Sequence, residues 1–131
     1  MRLLHSTPIM LVDRIEPHLP MWRDRLGYHL TAEVPHGDGL GFVILERDGH
    51  QLMLQTHASA AEDLPDVGKR AAARGVAVFH VVDDLDAWIK CLEGLEVIGG
   101  PRTASYGMRE IFVVDSAGYV HGYAQELEKK E

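Results

Sequence analysis

The residues best suited to chemistry lie near the C-terminus, in the segment YGMREIFVVDSAGYVHGYAQE at residues 106–126. Its second half carries His121, Tyr123 and Glu126. Imidazole and carboxylate groups so close together could bind a divalent metal ion. They could equally form the wall of a pocket that binds a small molecule without a metal. The elements that must position these side chains bear on the choice.

The segment itself predicts a β-hairpin. Two runs rich in β-branched and aromatic residues flank residues 115–118, whose sequence DSAG is typical of a tight turn. Upstream, the run at residues 76–82 predicts a strand and Asp84 an N-cap. The following segment places Leu85, Trp88, Ile89 and Leu92 on one face of a helix, which Gly94 ends.

The first half of the chain has the same order of elements. A short apolar run at residues 8–12 predicts a strand, and Leu19, Trp22 and Leu26 have the spacing of one helical face that ends at Gly27. Three further strands follow. Arg14 corresponds to Asp84 at an offset of 70 residues, and Gly49 to Gly118 at an offset of 69. This fixed offset indicates an internal repeat of strand, helix, strand, strand, strand.

We therefore predict an α+β fold in one domain, residues 1–131. Module 1 covers about 5–57 and module 2 about 76–127, each a βαβββ unit, and residues 58–75 form a linker with one helical turn at 69–74. The two modules should form one curved mixed sheet with helices on the convex face. The concave side would stay open for a small ligand.

Composition excludes several classes of protein. A net charge of -7 repels phosphate backbones, so we expect no nucleic-acid partner. The single cysteine, Cys91, excludes an intramolecular disulfide and fits a reducing compartment. No apolar run is long enough for a membrane span or a signal peptide, so we expect no membrane partner and a cytoplasmic location.

The ordered motifs resemble the vicinal oxygen chelate superfamily, in particular its glyoxalase/bleomycin resistance protein/dioxygenase branch. The resemblance covers nearly the whole chain as a paired βαβββ repeat. It is carried by VVDDLDAW at residues 81–88, by the segment at 106–125, and by MWRDRLGY at 21–28. Ser116 and Ala117 depart from the usual Pro and Asp of the family turn, but Asp115 and Gly118 are retained.

The resemblance implies where a catalytic metal would bind. Metal-binding members supply a His from the first strand and a Glu or Gln from the last strand of each module. Counting from Arg14, Asp84, Gly49 and Gly118 places these positions at Thr7, Ala77, Met53 and Gly122. None of these side chains is a ligand of a catalytic divalent ion. We therefore expect no metal and no other cofactor; a shifted register would instead use His5, Gln55, His80 and Glu126.

Strand alternation gives a candidate ligand-binding wall. It places Leu52 and Leu54 towards the helices. The concave side and the loop before the final hairpin then supply the candidate ligand-binding residues Gln51, Met53, Gln55, Phe79, Val81, Tyr106 and Arg109. Arg109 could instead pair with Glu110 or with a carboxylate of a second subunit. His80 and His121 fall on the opposite face, where we expect them to be half-buried and hydrogen-bonded to each other or to the backbone.

No Ser/His/Asp set or pair of catalytic carboxylates is evident, so we predict no catalytic residues. The favoured function is metal-independent binding of a small molecule in a sequestering or carrier role, as the resemblance to bleomycin-resistance proteins implies. The alternative is a divalent-metal-dependent lyase, isomerase or dioxygenase. The exposed edges of such a sheet also predict a homodimer.

Overall fold

A computed structural model describes residues 1–127 of the chain. The strands are β1 (Leu3–Val12), β2 (His29–His36), β3 (Gly39–Arg47), β4 (His50–Thr56), β5 (Val76–Val82), β6 (Glu96–Thr103), β7 (Met108–Val114) and β8 (Val120–Glu126). The α-helices are α1 (His57–Asp63), α2 (Pro65–Arg74) and α3 (Leu85–Cys91). A 3-10 turn (Glu16–His18) and a π-helical segment (Pro20–Arg25) follow β1.

The strands form one mixed, curved sheet in the order β2-β3-β4-β1-β5-β8-β7-β6. In each module the first strand runs parallel to the last, β1 with β4 and β5 with β8, and all other pairs are antiparallel. β1 and β5 meet at the centre, where Thr7 lies opposite Phe79 and Ile9 opposite Ala77. This register relates the modules by an approximate two-fold axis, and the predicted α+β architecture is confirmed.

The outer, convex face of the sheet carries the predicted module helices. The turn after β1 packs Ile15 and Leu19 against Leu52, Leu54 and their neighbours, and α3 packs Leu85 against Ile111 and Val113. The Asp84 carboxylate accepts a hydrogen bond from the Ala87 N–H at 3.3 Å, so the predicted N-cap of α3 is confirmed.

The helix of module 1 differs from its prediction. Its segment is π-helical, with the Leu26 N–H bonded to the Met21 carbonyl five residues earlier. This wider turn changes the angular spacing of side chains. Leu19 is buried and Trp22 half-buried, but Leu26 is 44% exposed, so the prediction that all three share a buried face is wrong for Leu26.

The segment between the modules also differs from its prediction. Residues 58–75 were expected to form a linker with one helical turn at 69–74, but the segment folds into α1 and α2. Ala60, Leu64, Val67 and Ala71 pack on the inner face of the sheet, in one cluster with Phe112. The small side chains let the two helices approach the strands closely. The concave side is therefore covered in part, rather than open.

The predicted turn of the final hairpin is confirmed. Gly118 has φ of 89°, which glycine adopts without strain, and its N–H bonds the Asp115 carbonyl at 3.0 Å. The Asp115 side chain also accepts from the Ala117 and Tyr119 N–H groups. Within residues 1–127, no helix is long and apolar enough to cross a membrane.

Candidate ligand-binding site

The four positions that correspond to metal ligands in related folds lie together on the inner face. Thr7 pairs with Phe79, which pairs in turn with Gly122. One step along the sheet, Ile9 pairs with both Ala77 and Met53. Because side chains of paired residues point to the same face, Thr7, Met53, Ala77 and Gly122 surround the approximate two-fold axis. The counting therefore identified four positions that lie together in the structure.

These four positions do not fit a divalent metal ion. They provide one hydroxyl, one thioether and no imidazole or carboxylate, whereas such ions need nitrogen or charged oxygen ligands here. Gly122 also leaves no room for a longer side chain. A Cβ atom at this position would lie 2.8 Å from a ring carbon of Phe112 and 2.9 Å from one of Phe79. Two phenyl rings fill the space that a carboxylate side chain would need.

The shifted set of metal ligands does not converge either. His80 points to the outer face, away from His5 and Gln55, and Glu126 lies at the far end of β8. Within the part of the chain that the structure describes, no three His, Cys, Asp or Glu side chains are arranged to hold a metal ion.

His80 and His121 are placed as the strand alternation predicts. Both are half-buried on the outer face, and His80 Nε2 lies 3.0 Å from His121 Nδ1. Burial, followed by the neighbouring His121, lowers the pKa of His80 to about 4. His80 is therefore neutral at pH 7 and keeps an unprotonated nitrogen.

Three of the predicted ligand-binding residues lie together on the inner face. Met53, Phe79 and Val81 belong to one buried cluster, to which α1 and α2 contribute Ala60 and Ala71. Sequence alternation identified the correct face, but it did not reveal that helices cover part of it. Gln55 also faces inwards, and its amide lies 3.4 Å from the Ser59 hydroxyl at the start of α1.

Gln51 lies at a part of the sheet that remains accessible. Pairing of β1 with β4 begins only at Ile9 and Met53, so the earlier residues of β1 stand apart from the start of β4. A cavity of about 420 Å³ occupies this gap. Its lining offers both polar and apolar surface and comprises His5, Ser6, Thr7, Pro8, Gly49, His50 and Gln51.

Tyr106, which is itself 56% exposed, belongs to a polar cluster around a buried carboxylate that the sequence analysis missed. Its hydroxyl donates to the Glu110 carboxylate, which is 0% exposed. Arg102 Nε donates to the same carboxylate at 2.9 Å, and its other end pairs with Asp63 of α1 at 2.9 Å. Burial and then Glu110 raise the pKa of Tyr106. The sequence signal for this cluster was Glu110, the one acidic residue among the inward-facing positions of β7, where the others are apolar.

Arg109 lies on the opposite face from its neighbour Glu110. Its Nη1 pairs with Asp86 Oδ1 of α3 at 2.7 Å. The predicted pairing with Glu110 is wrong, because that carboxylate points inwards and is held by Arg102. The prediction that Arg109 binds ligand on the concave side is also wrong, because strand alternation and the Asp86 pair place it on the outer face.

Solved structures share this arrangement of modules. A glyoxalase/bleomycin resistance protein/dioxygenase superfamily member from Vibrio splendidus matches with a TM-score of 0.71 at 21% identity, over 95% of this chain and 100% of that chain. The chain has a glyoxalase-type fold. A hypothetical protein from Bacillus halodurans shares this fold with a TM-score of 0.74 at 18% identity, over 100% and 99% of the two chains.

An enzyme complex has the same glyoxalase-type fold. It is a methylmalonyl-CoA epimerase variant from Streptomyces coelicolor bound to 2-nitronate-propionyl-CoA. It matches with a TM-score of 0.62 at 19% identity, over 93% of this chain and 96% of that chain. No protein-family model matches the sequence, and no curated protein matches it significantly. These likenesses confirm the fold that the motifs predicted.

Proposed function

We propose that this chain is a metal-independent small-molecule-binding protein with a sequestering or carrier role. The observation that carries the proposal is the filling of the metal position at Gly122 by Phe79 and Phe112. The two modules are present, but Thr7, Met53, Ala77 and Gly122 offer a hydroxyl, a thioether and no imidazole or carboxylate, which supports binding without a metal ion.

The cavity between β1 and β4 is the proposed binding site. Its volume of about 420 Å³ lies within the range typical of small-molecule pockets. Gln51 supplies an amide that both donates and accepts hydrogen bonds, and His5 and His50 supply flat polar rings. The net charge of -7 raises the local concentration of cations. We therefore propose a flat, amphipathic, neutral or cationic ligand, bound without turnover.

The absence of a metal can be tested directly. Metal analysis of untagged protein should find less than about one-tenth of an equivalent of any divalent ion, and chelators should leave the melting temperature unchanged, because no metal binding is coupled to folding. A chelator-induced fall of several degrees that one divalent ion reverses would instead favour the lyase, isomerase or dioxygenase alternative.

Ligand preference can be tested with matched cationic and anionic aromatic compounds in a thermal-shift screen. Cationic or neutral members should raise the melting temperature, and Gln51→Ala should remove at least half of that shift. Arg109→Ala should retain the shift, since Arg109 lies on the outer face. Stabilisation by anions alone, abolished by Arg109→Ala, would contradict the proposed site and ligand class.

A further inference from the structure

Four polar side chains from distant parts of the sequence form a continuous hydrogen-bonded chain on the outer face. Ser6 Oγ lies 2.6 Å from His80 Nδ1, and His80 Nε2 lies 3.0 Å from His121 Nδ1. His121 Nε2 lies 2.7 Å from Asp115 Oδ2. The chain arises because β1, β5 and β8 are neighbours in the sheet. The sequence alone did not indicate that these four residues lie together.

The direction of the hydrogen bonds follows from the Asp115 end. The carboxylate only accepts, so His121 Nε2 carries a hydrogen. In a neutral His121, Nδ1 is then an acceptor, and His80 Nε2 must donate to it. In a neutral His80, Nδ1 is left as an acceptor, and the Ser6 hydroxyl donates to it. Every donor thus points towards Asp115, which leaves an unprotonated nitrogen facing Ser6.

Aromatic side chains hold this chain in place. The Tyr123 ring stacks on His80 with centroids 4.5 Å apart, and Trp88 stacks on Tyr123 at 5.6 Å. The two imidazoles are nearly parallel, with an interplanar angle of 8°. The rings can turn little without breaking this stack, so His80 Nδ1 stays directed at the Ser6 hydroxyl.

Ser6 is the accessible end of the chain. It is exposed, whereas both histidines are half-buried, and it lines the cavity between β1 and β4. A nucleophile within hydrogen-bonding distance of a base, with that base oriented by a third group, is the arrangement that activates a serine. A compound in the cavity would lie beside the hydroxyl oxygen.

We propose that Ser6 is a nucleophile for acyl transfer from activated esters, with His80 as its general base and His121 and Asp115 as positioning residues. This activity goes beyond ligand binding and does not require the ligand proposed above. Activated esters suit the site because their leaving groups depart as stabilised anions and need no general acid to protonate them.

The step is balanced as follows. Ser6 Oγ forms a bond to the acyl carbon while its proton moves to His80 Nδ1. The bond between the acyl carbon and the leaving oxygen breaks, and the leaving group takes the proton from His80 or departs as an anion, in which case His80 releases the proton to solvent. Water, deprotonated by the same nitrogen, then attacks the acyl-Ser6 ester. The bond between the acyl carbon and Ser6 Oγ breaks, His80 returns the proton to Oγ, and the carboxylic acid is released.

The test uses p-nitrophenyl acetate with the full chain. We expect a burst of nitrophenolate close to one equivalent and a single acetyl group located on Ser6 by peptide mass spectrometry. Ser6→Ala should abolish both, and the matched control Ser105→Ala, at another exposed serine, should change neither. His121→Phe, which keeps an aromatic ring in the stack but breaks the chain, should slow acetylation of Ser6 at least tenfold.

Asp115 needs a conservative variant, because its carboxylate also bonds the turn. Asp115→Asn keeps one oxygen for the Ala117 and Tyr119 N–H groups but places its NH2 against His121 Nε2, where the carboxylate accepts. It should therefore fold like the unchanged protein but acetylate Ser6 more slowly. Acetylation of lysine or histidine without Ser6, or a burst unchanged in Ser6→Ala, would overturn the proposal. The proposal would also be overturned if His121→Phe, shown by circular dichroism to be folded, reacted as fast as the unchanged protein.

Discussion

Glu110 is a carboxylate that folding removes completely from water. Its oxygens are held by Arg102 and Tyr106, and Arg102 extends the network to Asp63 at the surface. A buried charge is tolerated only when it is paired and hydrogen-bonded, so the network has an inner and an outer half of unequal importance. The inner half fixes β6 and β7, whereas the outer half attaches α1 to the sheet.

This inequality gives a prediction. Glu110→Ala should lower the free energy of unfolding by about 3–5 kcal/mol, because it leaves the Arg102 guanidinium and the Tyr106 hydroxyl without their shared acceptor. Asp63→Ala is the matched control at the exposed end, and it should cost about 1 kcal/mol or less. Urea denaturation measures both values. Equal costs would show that the buried half has no special role.

His80 makes stability depend on pH. Its pKa is about 4 in the folded protein, lowered by burial and then by His121, against about 6.5 when unfolded. The unfolded chain therefore binds the proton more readily, and stability is full above about pH 6.5 and falls as the pH drops towards 4. The full shift corresponds to about 3 kcal/mol, which partial exposure of the ring reduces to about 1–2 kcal/mol.

The measurement compares urea unfolding at pH 7.5 and pH 4.5 in the unchanged protein and in His80→Asn. Carboxylates also titrate over this range, so the difference between the two proteins isolates His80. The unchanged protein should lose about 1–2 kcal/mol more than the variant. An equal loss in both would mean that His80 titrates alike in the folded and unfolded states.

At the scale of elements, the α1–α2 pair decides how much of the inner face a ligand can reach. Gly68 of α2 packs against the backbone of Ala60 in α1, where a Cβ atom would lie 2.6 Å from the Ala60 carbonyl oxygen. Backbone cannot swing aside as a flexible side chain can. One helix must therefore move if any side chain is added at this position.

Gly68→Ala tests this contact. Helix propensity alone would stabilise α2 by about 1 kcal/mol, but forcing two helix backbones apart costs about 1–3 kcal/mol. The cost of the clash should equal or exceed the gain in helix propensity, so the melting temperature should fall or stay level. Lys69→Ala, at the exposed neighbouring position, should shift stability by no more than about 0.5 kcal/mol. Clear stabilisation by Gly68→Ala would contradict the close contact.

The same elements show what the sequence could predict. Repeats with a constant offset, turn glycines and apolar alternation were sufficient to predict the modules and the positions of Leu52, Leu54, His80 and His121. They failed at residues 58–75, whose small residues gave little periodic signal although their packing makes them helical. They also failed for the Ser6 and Glu110 clusters, since those depend on which distant strands become neighbours.

At the scale of the whole molecule, the sheet formed by residues 1–127 ends in two unpaired edges, β2 and β6. Each edge exposes a large apolar side chain, with Val34 51% and Val97 50% exposed. Unpaired strand edges with apolar side chains favour association with another chain. A two-fold axis would pair the same edge of two copies, β2 with β2 or β6 with β6, and bury the exposed valine of that edge.

We therefore predict a homodimer at micromolar concentration, measured by sedimentation equilibrium. A lysine on the associating edge would place two like charges at the two-fold contact, so either Val34→Lys or Val97→Lys should raise the dissociation constant at least tenfold. The variant on the other edge serves as the matched control, because its lysine stays in solvent and should leave association unchanged. A monomer at these concentrations, or a dimer that neither lysine weakens, would contradict pairing through the sheet edges.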